Sequence, residues 1–395
     1  MEEFKYILLM FVVSFVLFIR LRFNSGEKKR KPIPYLVINT IFVLLFIFYF
    51  AFRLIYSKDG VIIGGVDAPV YKARFENATG NFIEALKMQE YEFGYGTFVY
   101  VVRLFTNNYV VFECIYYLIT FTMIFYIIDN LHMKFNLVSL ILIFVYIVMP
   151  LFDSMNIARN IFSFFISFCA VIKFSQNKKW SCLILSVIAI SVHLSAVLLI
   201  PVYILYRLVK NDTQTKPNKL IYFIIFVSVL IVFFVGITVL EIILASTKYS
   251  AYFEGSTSFP FGLLIERFTA AGLYLFLAIK TKEDIKLSKI GLILLVVGID
   301  ITLLQIRLPI LYRVNSICSI GCFIVYNNIN KDHKDSLVKG LTPTKVFINV
   351  VLIAFVAFKI SSLLSDAIAS YGLLPHYFYW EDIKNIRLWK RFYLL

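Results

Sequence analysis

The amino-acid sequence predicts an all-α protein that crosses a lipid bilayer about 10–12 times, with one re-entrant or broken segment. Hydrophobic residues make up 60% of the 395 residues and charged residues only 16%, whereas soluble domains have about 25% charged residues. The apolar residues are grouped in runs of about 18 or more, the length that a spanning helix requires. Lys and Arg outnumber Asp and Glu by 39 to 24 and fall in short segments between the runs, as is typical of membrane proteins.

Each long apolar run is predicted to be a span. The predicted spans lie at residues 4–19, 35–55, 109–128, 135–152, 157–172, 181–206, 220–245, 261–279, 290–306, 308–326 and 346–364. The apolar run 93–105 is too short to cross, so we expect a re-entrant or interfacial helix there. Residues 1–364 are thus predicted to form a single multispan domain. Residues 365–395 mix aromatic and basic side chains, which is typical of a tail at the membrane interface.

The distribution of Lys and Arg predicts the orientation of the loops. Basic residues concentrate in loops 20–34, 280–289 and 327–345, which we therefore expect on the cytoplasmic side. Loops 56–93 and 247–260 are then external, and loop 56–93 is expected to contribute to a functional site. The positive-inside bias also explains the net charge of +15, and no basic stripe indicates nucleic-acid binding.

The segment 181–206 conflicts with this alternation. Basic residues lie on both of its sides, at Lys173–Lys179 and at Arg207–Lys219, although a single span should separate opposite faces of the membrane. A broken hairpin with His193 at its tip resolves the conflict, and such irregular backbone is tolerated where it lines a cavity. The alternative is one long tilted helix with a weak charge bias.

Ionisable side chains inside predicted spans need an explanation, because they are costly unless they pair or face water. They are Arg159, His193, Glu241, Glu266, Arg267, Asp300, Arg307 and Arg313. Arg159 and Arg307 lie near span ends, where an interfacial anchor is the alternative to a functional role. For Glu266 and Arg267 the alternative is a local ion pair, and for His193 it is a satisfied core histidine.

The external segment 56–105 contains two candidate carboxylates. Gly64 and Gly65 precede Asp67, and a tight turn there would present the carboxylate at the membrane surface. Glu92 precedes the glycine-rich start of the short apolar segment. The alternative is ordinary turn chemistry in a solvated loop.

Several short motifs follow one another in a familiar order. They are Gly-x-Asp-x-x-x-Tyr at Gly65–Tyr71, Glu-x-Gly-Tyr at Glu92–Tyr95, an Arg-initiated helix at Asn156–Arg159, His-x-Ser-Ala at His193–Ala196, Tyr-x-x-Tyr at Tyr249–Tyr252, and a late arginine, Arg313. This order resembles the EpsG-type exopolysaccharide polymerases, which are similar to the Wzy-type polymerases of O-antigen and capsule synthesis. The resemblance covers roughly residues 30–330. The sequence departs from the family pattern at Phe93, where the family often has proline, and at Ala68 and Pro69.

The resemblance implies a multispan enzyme of the bacterial cytoplasmic membrane. Such proteins join undecaprenyl-pyrophosphate-linked oligosaccharide repeat units at the outer face, without a cofactor. The implied partners are the lipid-linked oligosaccharide, the bilayer and other polysaccharide-assembly membrane proteins. No carboxylate–histidine cluster in the sequence has the spacing of a metal cage, so we expect metal-independent chemistry.

The implied reaction makes specific demands on side chains. A pyrophosphate leaves, and arginine matches phosphate oxygens with two parallel N–H groups, so Arg159 and Arg313 are the first candidates and Arg267 the third. The acceptor hydroxyl needs a base, for which Asp67, Glu92 and His193 are candidates, with Asp67 and His193 ranked together. The tyrosines available for stacking on sugars are Tyr71, Tyr95, Tyr249 and Tyr252.

Three other functions stay open at this point. A flippase or transporter of the same lipid-linked glycan predicts paired repeats of similar topology, and the sequence has none. A multispan membrane O-acyltransferase predicts a histidine and arginines near the first spans, which hold only Arg53. A ligase that transfers the glycan to another acceptor has the same sequence features as a polymerase.

Overall fold

The computed structural model describes residues 2–24, 33–58, 61–65, 67–89, 91–210, 261–277, 285–305 and 311–332, besides a few isolated positions. The predicted spans 220–245 and 346–364, loop 247–260 and tail 365–395 therefore lie outside the described residues.

Helices dominate the described part of the chain, as the sequence predicts. They are α1 Glu2–Asn24, α2 Ile33–Ala51, α3 Ala68–Glu76, α4 Phe82–Gln89, α5 Phe93–Phe105, α6 Tyr109–Asn130, α7 Leu137–Ile143, α8 Met149–Asp153, α9 Ala158–Ser175, α10 Lys179–Val192, α11 Leu199–Lys210, α12 Phe261–Leu277, α13 Ile285–Leu304 and α14 Tyr312–Asp332. One short antiparallel hairpin departs from the all-α prediction. Its strands are β1, Tyr56–Lys58, and β2, Val61–Ile63, with Tyr56 paired to Ile63.

Two of the described helices are long and apolar enough to cross a membrane by length and composition. They are α6, Tyr109–Asn130, and α9, Ala158–Ser175. Six further apolar helical stretches, among them α5 and α10, are shorter. The larger number of spans stays a prediction.

The predicted span 135–152 forms a helix with a widened turn. α7 passes through a π-helical turn, Phe144–Val148, into α8, and every residue of that turn is buried. Pro150 follows the turn at the start of α8. Proline has no N–H to donate and its ring crowds the preceding helical turn, so a local change of helical pitch accommodates it.

The segment 181–206 is broken at His193. α10 ends at Val192, His193 is extended (φ −156°, ψ 130°), and a 3₁₀ turn, Leu194–Leu198, leads into α11. α11 then returns to the end of α9, where Tyr203 stacks on Phe174 with ring centroids 4.5 Å apart. The first flank, Lys173–Lys179, and the described start of the second flank at Arg207 therefore lie at the same end of the bundle, as the hairpin interpretation requires. The alternative of one long tilted helix is wrong, because the helix is interrupted at His193.

Helix α9 occupies the centre of the bundle. Its residues from Asn160 to Ile172 are all buried, although the stretch includes Ser163 and Ser167. It contacts α6, α10, α13 and α14. The first turn of α9 is therefore surrounded by elements that come from distant parts of the chain, and the candidate site lies at this end.

Candidate functional site

Glu92 and Arg159 form an ion pair at the starts of two helices. Glu92 is the residue before α5, and Arg159 is the second residue of α9. Arg159 Nη1 donates to Glu92 Oε2. The side chains are 20% and 29% exposed, so the pair is accessible from the surface. The structure thus joins two of the predicted catalytic residues, which are 67 positions apart.

His193 lies beside the same carboxylate. Its Nε2 is 3.9 Å from Glu92 Oε1, and its side chain is mostly buried. Helix α9 fixes this end of α10, because Ser163 Oγ donates to Ala189 O at 2.8 Å. Gly94 has no side chain, which allows α5 to pack closely against α10. A Cβ at Gly94 would lie 2.2 Å from Ser191 Oγ. The break in 181–206 is therefore pressed against the start of α5.

Asp67 reaches the site through a glycine turn. Gly64 and Gly65 have φ of +84° and +113°, and a Cβ on Gly65 would lie 2.6 Å from Met155 O, so other residues do not fit. The turn is fastened to the start of α9 by the Asp67 N–H, which donates to Asn156 Oδ1 at 3.2 Å. The Asp67 side chain makes no capping hydrogen bond to the first turn of α3. The residue is partly exposed.

The buried Arg53 holds this turn from below. Its guanidinium donates to Gly64 O at 3.0 Å and to Met155 O at 3.3 Å. It also pairs with Glu113, with Nη2 2.8 Å from Oε1. This pair joins α2, the glycine turn, α6 and the segment before α9. Arg53 is the one arginine in the first two predicted spans, and the sequence did not indicate that it holds the glycine turn.

Three arginines act on the charge of Asp67. Burial raises the pKa of the Asp67 carboxyl above its ordinary value, while Arg313, Arg159 and Arg74 act in the opposite direction. Arg313, the second residue of α14, also donates from Nε to Tyr312 Oη at 3.1 Å. The structure therefore brings the predicted residues Asp67, Arg159 and Arg313 into one electrostatic cluster.

Four helices begin at this cluster. Asp67 and Glu92 immediately precede α3 and α5, and Arg159 and Arg313 are the second residues of α9 and α14. Unpaired main-chain N–H groups give the first turn of a helix a partial positive charge. The arginines and the helix starts together favour an anionic ligand.

Tyrosines line the surface next to the arginines. The Arg159 guanidinium carbon lies 4.8 Å from the centroid of Tyr91 and 6.0 Å from that of Tyr71. Arg74 approaches Tyr91 at the same 4.8 Å. Tyr95 packs edge-on against Tyr91, with centroids 5.1 Å apart. The predicted Tyr71 and Tyr95 are thus next to the arginines, although both are buried, 7% and 1% exposed.

Arg74 and Tyr91 also lie at the site but were not predicted from the sequence. Tyr91 directly precedes Glu92, and Arg74 lies three residues after Tyr71 on α3. Residues three apart share one face of a helix, so the Tyr71–Arg74 spacing was the available signal.

Arg267 lies in a different polar cluster. It is 1% exposed and donates to Gly298 O, to Thr302 Oγ1 and, at 2.8 Å, to Asn315 Oδ1. These acceptors belong to α13 and α14, so the guanidinium ties α12 to both helices. The ligand-binding role predicted for Arg267 thus has a structural alternative, because its donors are engaged within the protein.

Two predicted residues, Tyr249 and Tyr252, lie outside the described residues. Among the described residues, no three His, Cys, Asp or Glu side chains are grouped as metal ligands would be. Metal-independent and cofactor-independent chemistry stays a prediction.

The sequence profile of the EpsG family matches residues 60–378, which is more than half of the chain. The match includes every predicted site residue, and it begins and ends later than the motif resemblance at 30–330. No curated protein and no solved structure matches the chain. The resemblance drawn from the short motifs is confirmed: the chain belongs to the EpsG family.

Proposed function

We propose that this protein is a polysaccharide polymerase that joins undecaprenyl-pyrophosphate-linked oligosaccharide repeat units at the outer face of the bacterial cytoplasmic membrane. Membership of the EpsG family is consistent with a glycosyl-transferring role in polysaccharide synthesis. The observation that carries the specific reaction is the partly exposed carboxylate of Asp67 in the field of Arg159 and Arg313. A base and a cationic anion site are the two parts that this transfer requires.

In this proposal the chain spans the membrane many times and the cluster faces outward. The external loop carries Asp67 and Glu92, while the α10–α11 hairpin brings His193 to them from the cytoplasmic side. Its break supports this arrangement, because irregular backbone within a bilayer is stable only inside protein or beside water. The basic flanks of the hairpin then face the cytoplasm.

The reaction proceeds by one bond exchange. Asp67 removes the proton of a sugar hydroxyl on the incoming lipid-linked unit, and that oxygen bonds to the anomeric carbon of the growing chain. The bond from this carbon to the pyrophosphate oxygen breaks, and undecaprenyl pyrophosphate leaves with the electron pair. Arg159 and Arg313 bind the developing charge, and the four helix starts add to their field.

Glu92 positions Arg159 in this scheme, because it engages one side of the guanidinium and leaves another side for phosphate oxygens. Tyr91, which is partly exposed, offers a ring face to the sugars, and the buried Tyr71 supports it, with ring centroids 5.9 Å apart. Tyr249 and Tyr252 are proposed to add to this surface. Other polysaccharide-assembly proteins of the membrane are the proposed protein partners.

The test is elongation in proteoliposomes that contain the purified protein and a synthetic lipid-pyrophosphate-linked repeat unit. We expect lipid-linked chains of two or more units, and none with Asp67→Asn. Transfer of the labelled glycan across the bilayer without new glycosidic bonds would indicate a flippase instead. Transfer only to a different acceptor would indicate a ligase, and acylation of the glycan an O-acyltransferase.

A deletion strain gives a second test in the cell. Single repeat units should accumulate on the lipid, because export continues while polymerisation stops. Unchanged chain lengths in this strain would contradict the proposal.

A further inference from the structure

Arg74 and Arg159 approach the same aromatic ring from two different helices. Arg74 belongs to the last turn of α3 and Arg159 to the first turn of α9. The guanidinium carbon of each lies 4.8 Å from the centroid of Tyr91, so the two carbons are no more than twice that distance apart. Both arginines are partly exposed. A ligand at the surface can therefore contact the two guanidinium groups together.

The cluster around this ring has an excess of positive charge. Within the described residues, the arginines Arg74, Arg159 and Arg313 act on Asp67, and Glu92 pairs with Arg159. Three cations thus accompany two carboxylates, and the helix starts add partial positive charge. Guanidinium groups this close repel each other unless an anion lies between them. The charge of the cluster suits an anion with more than one negative charge.

The three arginines differ in their distance from the proposed base. Each counteracts the rise in the pKa of the Asp67 carboxyl, and the effect of Arg313 is the largest, that of Arg159 is intermediate and that of Arg74 is the smallest. Coulomb interactions weaken with distance. Arg74 is therefore the arginine farthest from the carboxylate at which the sugar hydroxyl reacts.

We propose that Arg74 binds the lipid-side phosphate of the pyrophosphate, while Arg159 and Arg313 bind the sugar-side phosphate. The inference rests on the proposed polymerase function. A guanidinium group matches two phosphate oxygens with hydrogen bonds of about 2.8 Å, so two such groups beside one ring can hold the two phosphates of a single diphosphate. Tyr91 keeps the two guanidinium groups at a fixed separation. The site thus recognises a diphosphate and not a single phosphate.

The two phosphates differ in how their charge changes during the reaction. The sugar-side phosphate gains negative charge as its bond to the sugar breaks, whereas the charge of the lipid-side phosphate changes little. Arg74 therefore stabilises the bound substrate and the transition state to a similar extent, and its loss should raise KM and leave kcat nearly unchanged. Loss of Arg313 should lower kcat.

Equilibrium binding tests the diphosphate site without any reaction. The probes are inorganic pyrophosphate and inorganic phosphate, because neither depends on the identity of the sugars. The purified protein is held in nanodiscs of zwitterionic phospholipid, so that no anionic headgroup competes. We expect the wild-type protein to bind pyrophosphate about tenfold or more tightly than phosphate, and Arg74→Gln to lose most of this preference, since one charge-assisted contact is removed.

Arg103→Gln is the matched control for the loss of one positive charge. Arg103 also lies over an aromatic ring, 5.5 Å from the centroid of Phe75, but it does not contact Tyr91. Its substitution should leave the ratio of the two affinities unchanged. An unchanged ratio in Arg74→Gln, or an equal fall in both variants, would overturn the inference. If Arg74→Gln does not fold, Arg74→Lys keeps the charge and should still lower the ratio, because a point charge replaces the planar fork.

Elongation kinetics test which phosphate Arg74 binds. Arg74→Gln should raise KM for the lipid-linked unit about tenfold and keep kcat within about twofold of wild type. A fall in kcat at unchanged KM would overturn the assignment to the lipid-side phosphate. The binding ratio separates this inference from the proposed function. Elongation with an unchanged ratio would overturn the diphosphate site alone, whereas the expected ratio without elongation would contradict the polymerase and leave the diphosphate site.

Discussion

Ser186 Oγ on α10 and Tyr203 Oη on α11 lie 3.4 Å apart, although 17 positions separate these residues in the chain. In a continuous helix that rises 1.5 Å per residue they would be about 25 Å apart. The segment 181–206 is therefore a hairpin. Its first arm, 14 residues, is about 21 Å long, shorter than the roughly 30 Å of a bilayer core. His193 at its tip is thus expected below the membrane surface.

The hairpin makes a topology prediction for cysteine labelling. In a background without the five native cysteines, Thr79→Cys should react with an impermeant reagent in intact cells. Lys178→Cys and Arg207→Cys should both react only after permeabilisation, because the hairpin returns the chain to one side. All three positions are exposed. Labelling of Arg207→Cys from outside would contradict the hairpin, and labelling of Thr79→Cys only from inside would reverse the orientation.

Arg159→Lys should remove most activity although it keeps the charge. A lysine is a point charge and cannot hold Glu92 and a phosphate through one planar fork. We expect a loss of about 10²-fold in kcat/KM for the lipid-linked substrate. Arg103→Lys is the matched control, since Arg103 lies on α5 close to the site but contacts Phe75 and Glu76 O instead. Full activity of Arg159→Lys would leave Arg159 as an interfacial anchor.

Asp67 should determine the acidic limb of the pH–rate profile. The base must be ionised, so activity falls as the pH drops through its pKa, which burial has raised above the ordinary value of an aspartate. Asp67→Asn should lose about 10²–10⁴-fold.

The variant Arg313→Gln tests the titration of Asp67 by removing the positive charge of Arg313. Arg313 favours the ionised carboxylate, so its removal raises the pKa of Asp67 further and moves the acidic limb to higher pH. The rate should also fall, because a phosphate ligand is lost. The control Arg103→Gln should leave the acidic limb of the pH–rate profile at the same pH. An acidic limb at the same pH in Arg313→Gln would exclude Asp67 as the group that it reports.

Gly94→Ala should weaken elongation through geometry alone. The added methyl would meet Ser191 Oγ at 2.2 Å and Ser191 C at 2.8 Å, so α5 must move away from α10 and Glu92 away from His193. We expect kcat to fall on the order of tenfold or more, because small displacements of positioning groups are costly. Gly272→Ala is the control, with nothing within 4 Å of its Cβ. Wild-type kcat in Gly94→Ala would show that this approach does not matter.

Arg53→Met should destabilise the fold. It leaves the buried Glu113 without its partner, which costs about 3–5 kcal/mol when one member of a buried pair is removed. The double variant with Glu113→Leu should recover much of this loss, because neither charge remains. Thermal unfolding of the detergent-purified protein measures both. A double variant that is no more stable than Arg53→Met would contradict the pair as the cause.

The sequence by itself determined the helical class and the start of α9 near Arg159, and it offered the break at His193 as one of two interpretations of segment 181–206. These features have local causes: the length of apolar runs, the charge on the flanks of one segment, and a short motif. It also selected Asp67, Glu92, Arg159, His193 and Arg313, because chemistry limits which side chains suit the proposed glycan transfer with a pyrophosphate leaving group.

Only the tertiary structure decided which of these residues meet. Glu92 pairs with Arg159, which is 67 positions away in the chain. Arg74 and Arg159 both contact the ring of Tyr91. Arg267 donates its hydrogen bonds to α13 and α14 and lies away from this cluster. The partner of a side chain depends on which distant helices pack together. The local charge and hydrophobicity of the sequence do not reveal this, because they are the same whichever helices become neighbours.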